Sequence, residues 1–253
     1  MKICAVIFFL AVNILMTGIN CYSQRKESYV GFYDANKKFS FQVYATYISS
    51  SELQNDPNST DPFERNGMVT LNGGYGYGAE LNYKPNLGNL NLTFFLSTEY
   101  FKLSENDLYL QFQQDSSSAK VAMTEAFHMI PIEFGVKWDL PVSTNSFKVY
   151  IGGGGGMYFG DRTRTIGSSL VSTTTYTKPG FSLNILSGLE YYLERNLSAN
   201  LELKFREGSF DVESKFAQNS ININGVDYFL SNPVYSRIIV DGVRISFGLK
   251  YNF

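Results

Sequence analysis

Few side chains in this sequence ordinarily do chemistry, and most of those stand alone. His128 is the single histidine, and a lone imidazole cannot hold a transition metal without further ligands. To act as a base on lipid it would need a hydroxyl nucleophile beside it. Two residues on, on the same strand face, stands Ile130. Both cysteines, Cys4 and Cys21, lie in the opening stretch, so loss of that stretch leaves no thiol for a disulfide, a metal or covalent catalysis. Asp56, Asp61 and Glu64 share a polar segment that could attract a cation, but their spacing is not that of a calcium loop. The run Gly152 to Gly156 is followed by no Lys-Ser/Thr pair, which removes the phosphate-loop reading. These residues point to no catalytic centre, metal site or cofactor.

A different set of ionic residues is patterned. Glu80, Glu133, Lys137, Glu190, Glu202, Lys204, Arg244 and Lys250 each sit between apolar or aromatic neighbours at period two, and Arg206 continues the same alternation after Phe205. On a strand that spacing sends the apolar residues to one face and the ions to the other. Acids and bases are mixed, so they can pair in a confined space, as buried ions must. The bland reading is a polar plug that fixes strand register; the functional one is an ion path or proton relay.

The strands that would carry these residues can be read from the same alternation. The clearest is the last, Val243 to Phe253, with Val243, Ile245, Phe247, Leu249, Tyr251 and Phe253 against Arg244, Ser246, Gly248, Lys250 and Asn252. Seven more precede it, over residues 39–47, 70–83, 90–101, 124–138, 147–159, 181–193 and from Leu197 to Arg206. Leu71, Tyr75, Tyr77, Ala79, Leu81 and Tyr83 form the apolar face of the second. The connections alternate. Long polar stretches cover 49–66, 102–122, 160–179 and 208–236, the last with a two-residue hairpin turn at Asn224-Gly225. Short turns lie at 84–89, 139–146 and 194–196. Inward glycines Gly74, Gly76, Gly78, Gly152, Gly154 and Gly156 would leave room for long side chains from facing strands, as a narrow barrel requires.

Composition agrees. Aromatics make 16% of the 253 residues and charged residues only 17%; 21 basic against 23 acidic residues give a net charge of −2, with no excess to hold nucleic acid. Residues 1–23 read as a secretory signal peptide: Lys2, an apolar core over Ile3 to Leu15, then Cys21-Tyr22-Ser23 with Gln24 as the new N-terminus. An uncleaved helix lacks a basic stop-transfer flank, and a lipoprotein at Cys21 lacks a small residue directly ahead of it. Residues 24–37 read as a periplasmic lead-in, and 38–253 as one domain. No later run is apolar enough for a membrane helix, so a membrane-spanning mature chain must be a closed barrel.

The expected fold is therefore all-β: an eight-stranded antiparallel up-and-down transmembrane barrel with long extracellular loops. A soluble barrel would turn its apolar face inward. Aromatics at both strand ends and the alternating loop lengths favour the membrane: Phe39, Tyr83, Trp138, Phe147, Tyr191, Tyr251 and Phe253 at the periplasmic end, Tyr47, Tyr100, Phe159, Phe181 and Phe205 at the outer one.

Several segments carry a family resemblance: Ile130-Pro131-Ile132-Glu133, Ser187-Gly188-Leu189-Glu190-Tyr191, and the ending Phe247-Gly248-Leu249-Lys250-Tyr251-Asn252-Phe253. With the signal ending Cys-Tyr-Ser, these resemble the small outer-membrane β-barrel proteins, a group that includes PorT-like proteins and is related in shape to OmpA-, OmpX- and OmpW-type barrels. The resemblance implies location in the outer membrane of a Gram-negative bacterium. It also implies contact with outer-membrane lipid, and an ending (Phe247, Leu249, Tyr251, Phe253) read by the barrel-assembly machinery during insertion. It implies no single activity. The readings left open are a non-enzymatic structural or surface-interaction barrel with a surface or secretion-system partner, a narrow channel for small solutes or ions, and a lipid-modifying enzyme.

Overall fold

The computed structural model describes residues 37–253 apart from 88–89, 115–116, 145, 168–169 and 231. The signal peptide expected over 1–23, and the lead-in up to residue 36, lie outside the described residues.

The chain in order is β1 (Phe39–Asn55), α1 (Pro62–Arg65), β2 (Met68–Tyr83), β3 (Leu92–Gln114), β4 (Ser117–Asp139), β5 (Phe147–Ile166), β6 (Leu170–Lys178), β7 (Gly180–Tyr192), β8 (Leu197–Phe216), β9 (Ser220–Ile223), β10 (Val226–Phe229), β11 (Val234–Val240) and β12 (Val243–Asn252). All pairings are antiparallel. β6 and β7 both lie between β5 and β8 and form one strand interrupted at Pro179. β11 and β12 likewise share the place between β8 and β1, with a break at Asp241-Gly242. The ten segments of the main sheet thus fill eight positions, and β1 pairs with β12 on one side and β2 on the other, closing the barrel. Closure extends to the chain end, where the Phe253 N–H donates to the Phe39 carbonyl at 2.9 Å. A closed ring leaves no unpaired strand edge in lipid.

The strands run far past the expected boundaries. β3 and β4 are 23 residues each, about 75 Å along the strand at ~3.3 Å per residue. Tilted by about 40°, they rise roughly twice the ~25 Å of an apolar band. The stretches 102–122 and 160–179 are therefore mostly barrel wall rather than loop, and 49–66 and 208–236 are wall in part, with β1 running to Asn55 in the first, and β8 to Phe216 and β11 from Val234 in the second. Their sequences look loop-like because the wall stands in water: Lys102, Ser104 and Asn106 point out from β3 while Leu103 is fully buried. The hairpin turn at Asn224-Gly225 joins β9 to β10, with both residues at positive φ, 53° and 84°.

Through the lower half the outward face is apolar. Phe41, Val43, Leu96, Ile132, Phe134, Ile185, Leu249 and Phe247 are all exposed, while Ser40, Gln42, Glu80, Glu133 and Arg244 are buried. Phe39 meets Tyr83 at 5.0 Å and Phe253 at 6.3 Å at the periplasmic rim. Tyr47 and Tyr75, at 5.1 Å, and Tyr77 and Tyr100, at 5.7 Å, mark the outer rim. Above that rim the polarity inverts. Ile48, Leu53, Leu71, Phe101, Leu103, Phe127, Met129, Tyr158, Phe210, Val212, Ile238 and Val240 form an apolar layer inside the barrel. Leu71 is thus a core residue and not part of the outward face of its strand. In β1 and β2 the pairing passes from Ile48–Gly74 to Ser50–Asn72 across Ser49 and Gly73, and the inward phase moves from even to odd numbers there.

Candidate functional site

The barrel interior is the place where this chain assembles charged side chains. β2, β3, β4, β8 and β12 bring four carboxylates and four bases together at mid-height, each delivered by the inward parity of its strand. Glu202 receives Arg244 Nη1 at 2.9 Å, Lys137 Nζ at 2.9 Å and Lys204 Nζ at 3.8 Å. Lys204 passes on to Glu133 at 2.7 Å, and Glu133 is ion-paired with Arg206, Nε to Oε1 3.1 Å. Arg206 also forms an ion pair with Glu99, whose carboxylate lies 3.0 Å from Arg244 Nε as an ion pair without a hydrogen bond. The pairs close a ring: Glu202, Lys204, Glu133, Arg206, Glu99, Arg244 and back to Glu202. Glu80 joins it through Lys137 at 2.6 Å. Acids and bases balance, four against four, which is the condition for keeping so many ions out of water.

Aromatic side chains fill the space between the ions. The Arg244 guanidinium lies 4.5 Å from the Tyr44 ring centre, and Lys137 and Lys204 lie 5.1 and 5.4 Å from that of Phe95. The Tyr150 hydroxyl donates to Glu202 Oε2 at 3.0 Å, and that of Tyr158 to Glu133 Oε1 at 3.2 Å. The inward glycines make this possible: a Cβ at Gly78 would come within 2.6 Å of the Tyr44 ring, and one at Gly188 would strike the Tyr150 ring.

A second, smaller group lies toward the periplasm, where Glu190 accepts Lys250 Nζ and the Ser198 hydroxyl, both at 2.8 Å. A third sits above the apolar layer. There Glu125 accepts Arg162 Nε at 2.9 Å and Nη2 at 2.7 Å and also pairs with Arg164, while Asn55 Oδ1 accepts Arg164 Nη2 at 2.8 Å. Over it a further apolar cluster (Phe112, Met123, Ile166, Phe216 and Tyr228) brings the β9–β10 hairpin down across the barrel mouth, with Phe112 and Tyr228 ring centres 5.5 Å apart.

All nine ionic residues singled out by alternation lie buried in this interior. The structure divides them: Glu190 and Lys250 form the lower pair, and the other seven join the central lattice. Glu99, Glu125, Arg162 and Arg164 were not among them. Glu99 carries a readable signal, since it alternates with outward Thr98 and Tyr100. Arg162 and Arg164 fall in a stretch that reads as loop, so parity could not be applied to them. On the outer wall, Arg237 donates to Asp211 from Nε at 2.7 Å and Nη2 at 3.2 Å, and these hydrogen bonds raise its pKa.

His128 is on the outer face at the aromatic rim, its Nδ1 2.5 Å from the Tyr100 hydroxyl. Among the described residues no three His, Cys, Asp or Glu side chains are gathered to hold a metal. The carboxylates Asp56 and Asp61 lie at the outer tip between β1 and β2, where Asp56 has positive φ (44°).

No protein-family model matches the chain, and no curated protein matches it. Solved structures do. The outer membrane protein OprG from Pseudomonas aeruginosa superposes with a TM-score of 0.53 at 14% identity, covering 86% of this chain and 96% of that one. The outer membrane protease OmpT from Escherichia coli superposes with a TM-score of 0.50 at 7% identity, covering 87% and 98%. At such identities the likeness is one of fold. That fold, with the apolar belt on the lower half of the wall, makes the chain an integral β-barrel of a Gram-negative outer membrane.

Proposed function

We propose that this protein is a closed, non-enzymatic outer-membrane barrel of the PorT-like group, and that it works as a rigid stalk presenting its outer wall and hairpin tips to a protein partner. The observation that carries this reading is the stopped lumen. A neutral ionic lattice, an apolar layer and the β9–β10 hairpin lie one above another on the barrel axis. A solute path would have to break several buried ion pairs and then wet the apolar layer, so the closed stack counts against the narrow-channel reading. On the rim, the hydroxyl that meets His128 is the phenol of Tyr100 rather than a Ser or Thr, and Ile130, two residues on along the same strand face, offers no nucleophile, which supports a non-enzymatic role.

The part left for function is the wall above the membrane, which exposes large aromatics. Phe229, Tyr109, Tyr176 and Tyr235 are solvent-exposed there. Exposed aromatics of this kind anchor protein interfaces, because each buries much area for little side-chain entropy. The PorT-like assignment rests on the sequence segments named above and makes a secretion-system component the first partner to seek.

Two measurements test the reading. Reconstituted protein in planar bilayers is expected to be electrically silent; steady single-channel steps would overturn the closed-barrel claim. A photo-crosslinking amino acid placed at Tyr109, Tyr176 or Phe229 in intact cells is expected to give a discrete protein adduct. Crosslinking to lipid alone from all three positions would remove the partner-presenting role.

A further inference from the structure

The lipid-facing wall is not evenly ridged. A groove of about 800 Å³ crosses its outer part, within the ~300–1,000 Å³ typical of small-ligand sites. Its lower lining is apolar, with Phe134, Met157, Phe181 and Leu183 around Gly155. Its upper lining is polar, with Glu207, Ser209, Arg237 and Gln54. The groove is continuous below with the lipid-facing belt and ends above in the water-facing wall.

The glycines of β5 fall into two classes. A Cβ at inward Gly156 would sit 2.6 Å from the Ile132 carbonyl oxygen, and inward Gly152 and Gly154 are as tightly held against β4. At outward Gly153 and Gly155 the nearest atoms would be 3.0 and 3.2 Å away. Close strand approach thus explains the inward set. The outward pair is held less tightly, so a Cβ there needs β7 to give by only a few tenths of an ångström, and its effect is to keep a trench open between the Phe134 side of β4 and the Leu183 side of β7.

We infer that this groove binds one acyl chain of an outer-leaflet glycolipid, with the sugar held at the Glu207–Arg237 end. A concave apolar surface inside the lipid belt is filled by hydrocarbon, and the polar end fixes which lipid supplies it. Glu207 is an acceptor and Ser209 both donor and acceptor, whereas Arg237 already spends two donors on Asp211. With the two carboxylates there outnumbering the one guanidinium, a bare phosphate gains little. Sugar hydroxyls, which donate and accept, match the mixture. The inference rests on the membrane placement, and the test separates the two.

The test is native mass spectrometry of the full barrel in nanodiscs containing lipid A, phosphatidylethanolamine and phosphatidylglycerol at equal concentration. Heat-modifiable gel migration reports folding and insertion separately. The wild type should retain one lipid A molecule. Gly155→Leu fills the trench and should lower that occupancy at least about tenfold, ~1.4 kcal/mol, while Ala199→Leu, elsewhere on the outer face, should leave it unchanged. Glu207→Ala should keep one lipid but lose the preference for lipid A. If Gly155→Leu does not fold, Met157→Trp narrows the same groove from its side. A wild type that folds and inserts but retains no discrete lipid, or retains phospholipid equally, would overturn the inference. So would groove-filled variants that hold lipid A as the wild type does.

Discussion

Glu202→Gln should destabilise the barrel more than any surface charge change. Glu202 is 2% exposed and carries the contacts of Lys137, Lys204 and Arg244. Glutamine keeps the shape and one acceptor but removes the negative charge. The central lattice then holds four bases against three acids, in side chains buried away from bulk solvent that would screen the excess. Breaking a buried pair from one side costs about 3–5 kcal/mol, because the partner charge is left behind. With a urea slope of ~1–3 kcal/mol per molar, this lowers the unfolding midpoint by about 2 M. Arg237→Gln on the outer wall is the internal comparison. Its pair with Asp211 has good geometry, but the side chains are 43% and 34% exposed, so solvent screening holds its contribution to ~0–1 kcal/mol. The assay is reversible urea unfolding in liposomes, followed by tryptophan fluorescence of Trp138 and by gel shift. The double variant Glu202→Gln/Arg244→Gln restores neutrality and should be more stable than the sum of the single losses by about 1 kcal/mol or more. If Glu202→Gln and Arg237→Gln shift the midpoint equally, or the double variant is simply additive, the charge ring does not hold the barrel and the argument fails.

Phe247→Arg places a charge on the lipid face near mid-strand and should cost about 2–4 kcal/mol; folding yield into thin- and thick-bilayer vesicles reads it out, with the larger loss in the thicker bilayer. Phe127→Ala opens a hole in the apolar layer and should cost ~3–5 kcal/mol without admitting current, because the ionic lattice below remains closed; unfolding midpoint and bilayer conductance check both halves. Protease added to intact cells should cut at the tips near 56–67 and 217–219 and spare 102–114 and 160–166, where backbone groups are tied into ladders; mapping the fragments by mass separates these walls from true loops.

What could be read ahead of the coordinates follows from where the alternation kept one meaning. In β12 and the lower parts of β1, β4, β5, β7 and β8, lipid lies outside and the confined interior inside, so an apolar residue points out and an ion points in. The lower wall and the nine ionic residues follow from that rule alone. Beyond Tyr47, Tyr100 and Phe159 the surrounding medium becomes water, and the same period carries the opposite chemistry. Leu103, Phe127, Met129 and Phe210 point inward there, and Lys102, Ser104 and His128 point outward. A reading that holds polarity constant must see these stretches as strands that stop, because their polar outward residues look like loop. In β1 and β2 the phase also slips at Ser49 and Gly73, which moved Leu71 from wall to core with no change in residue type to mark it. The two arginines of the upper chamber were hidden by the same switch. Arg162 and Arg164 share the parity of Tyr150 and Tyr158 on β5, and become legible as partners of Glu125 once β5 is followed through to Ile166. Inversion of the buried face, rather than loss of the period, marks where this barrel leaves the membrane. That criterion also bears on Pro179 and Gly242. Each breaks the ladder at a strand position where the wall has left the lipid, as expected if unpaired backbone groups are tolerated only where water can reach them.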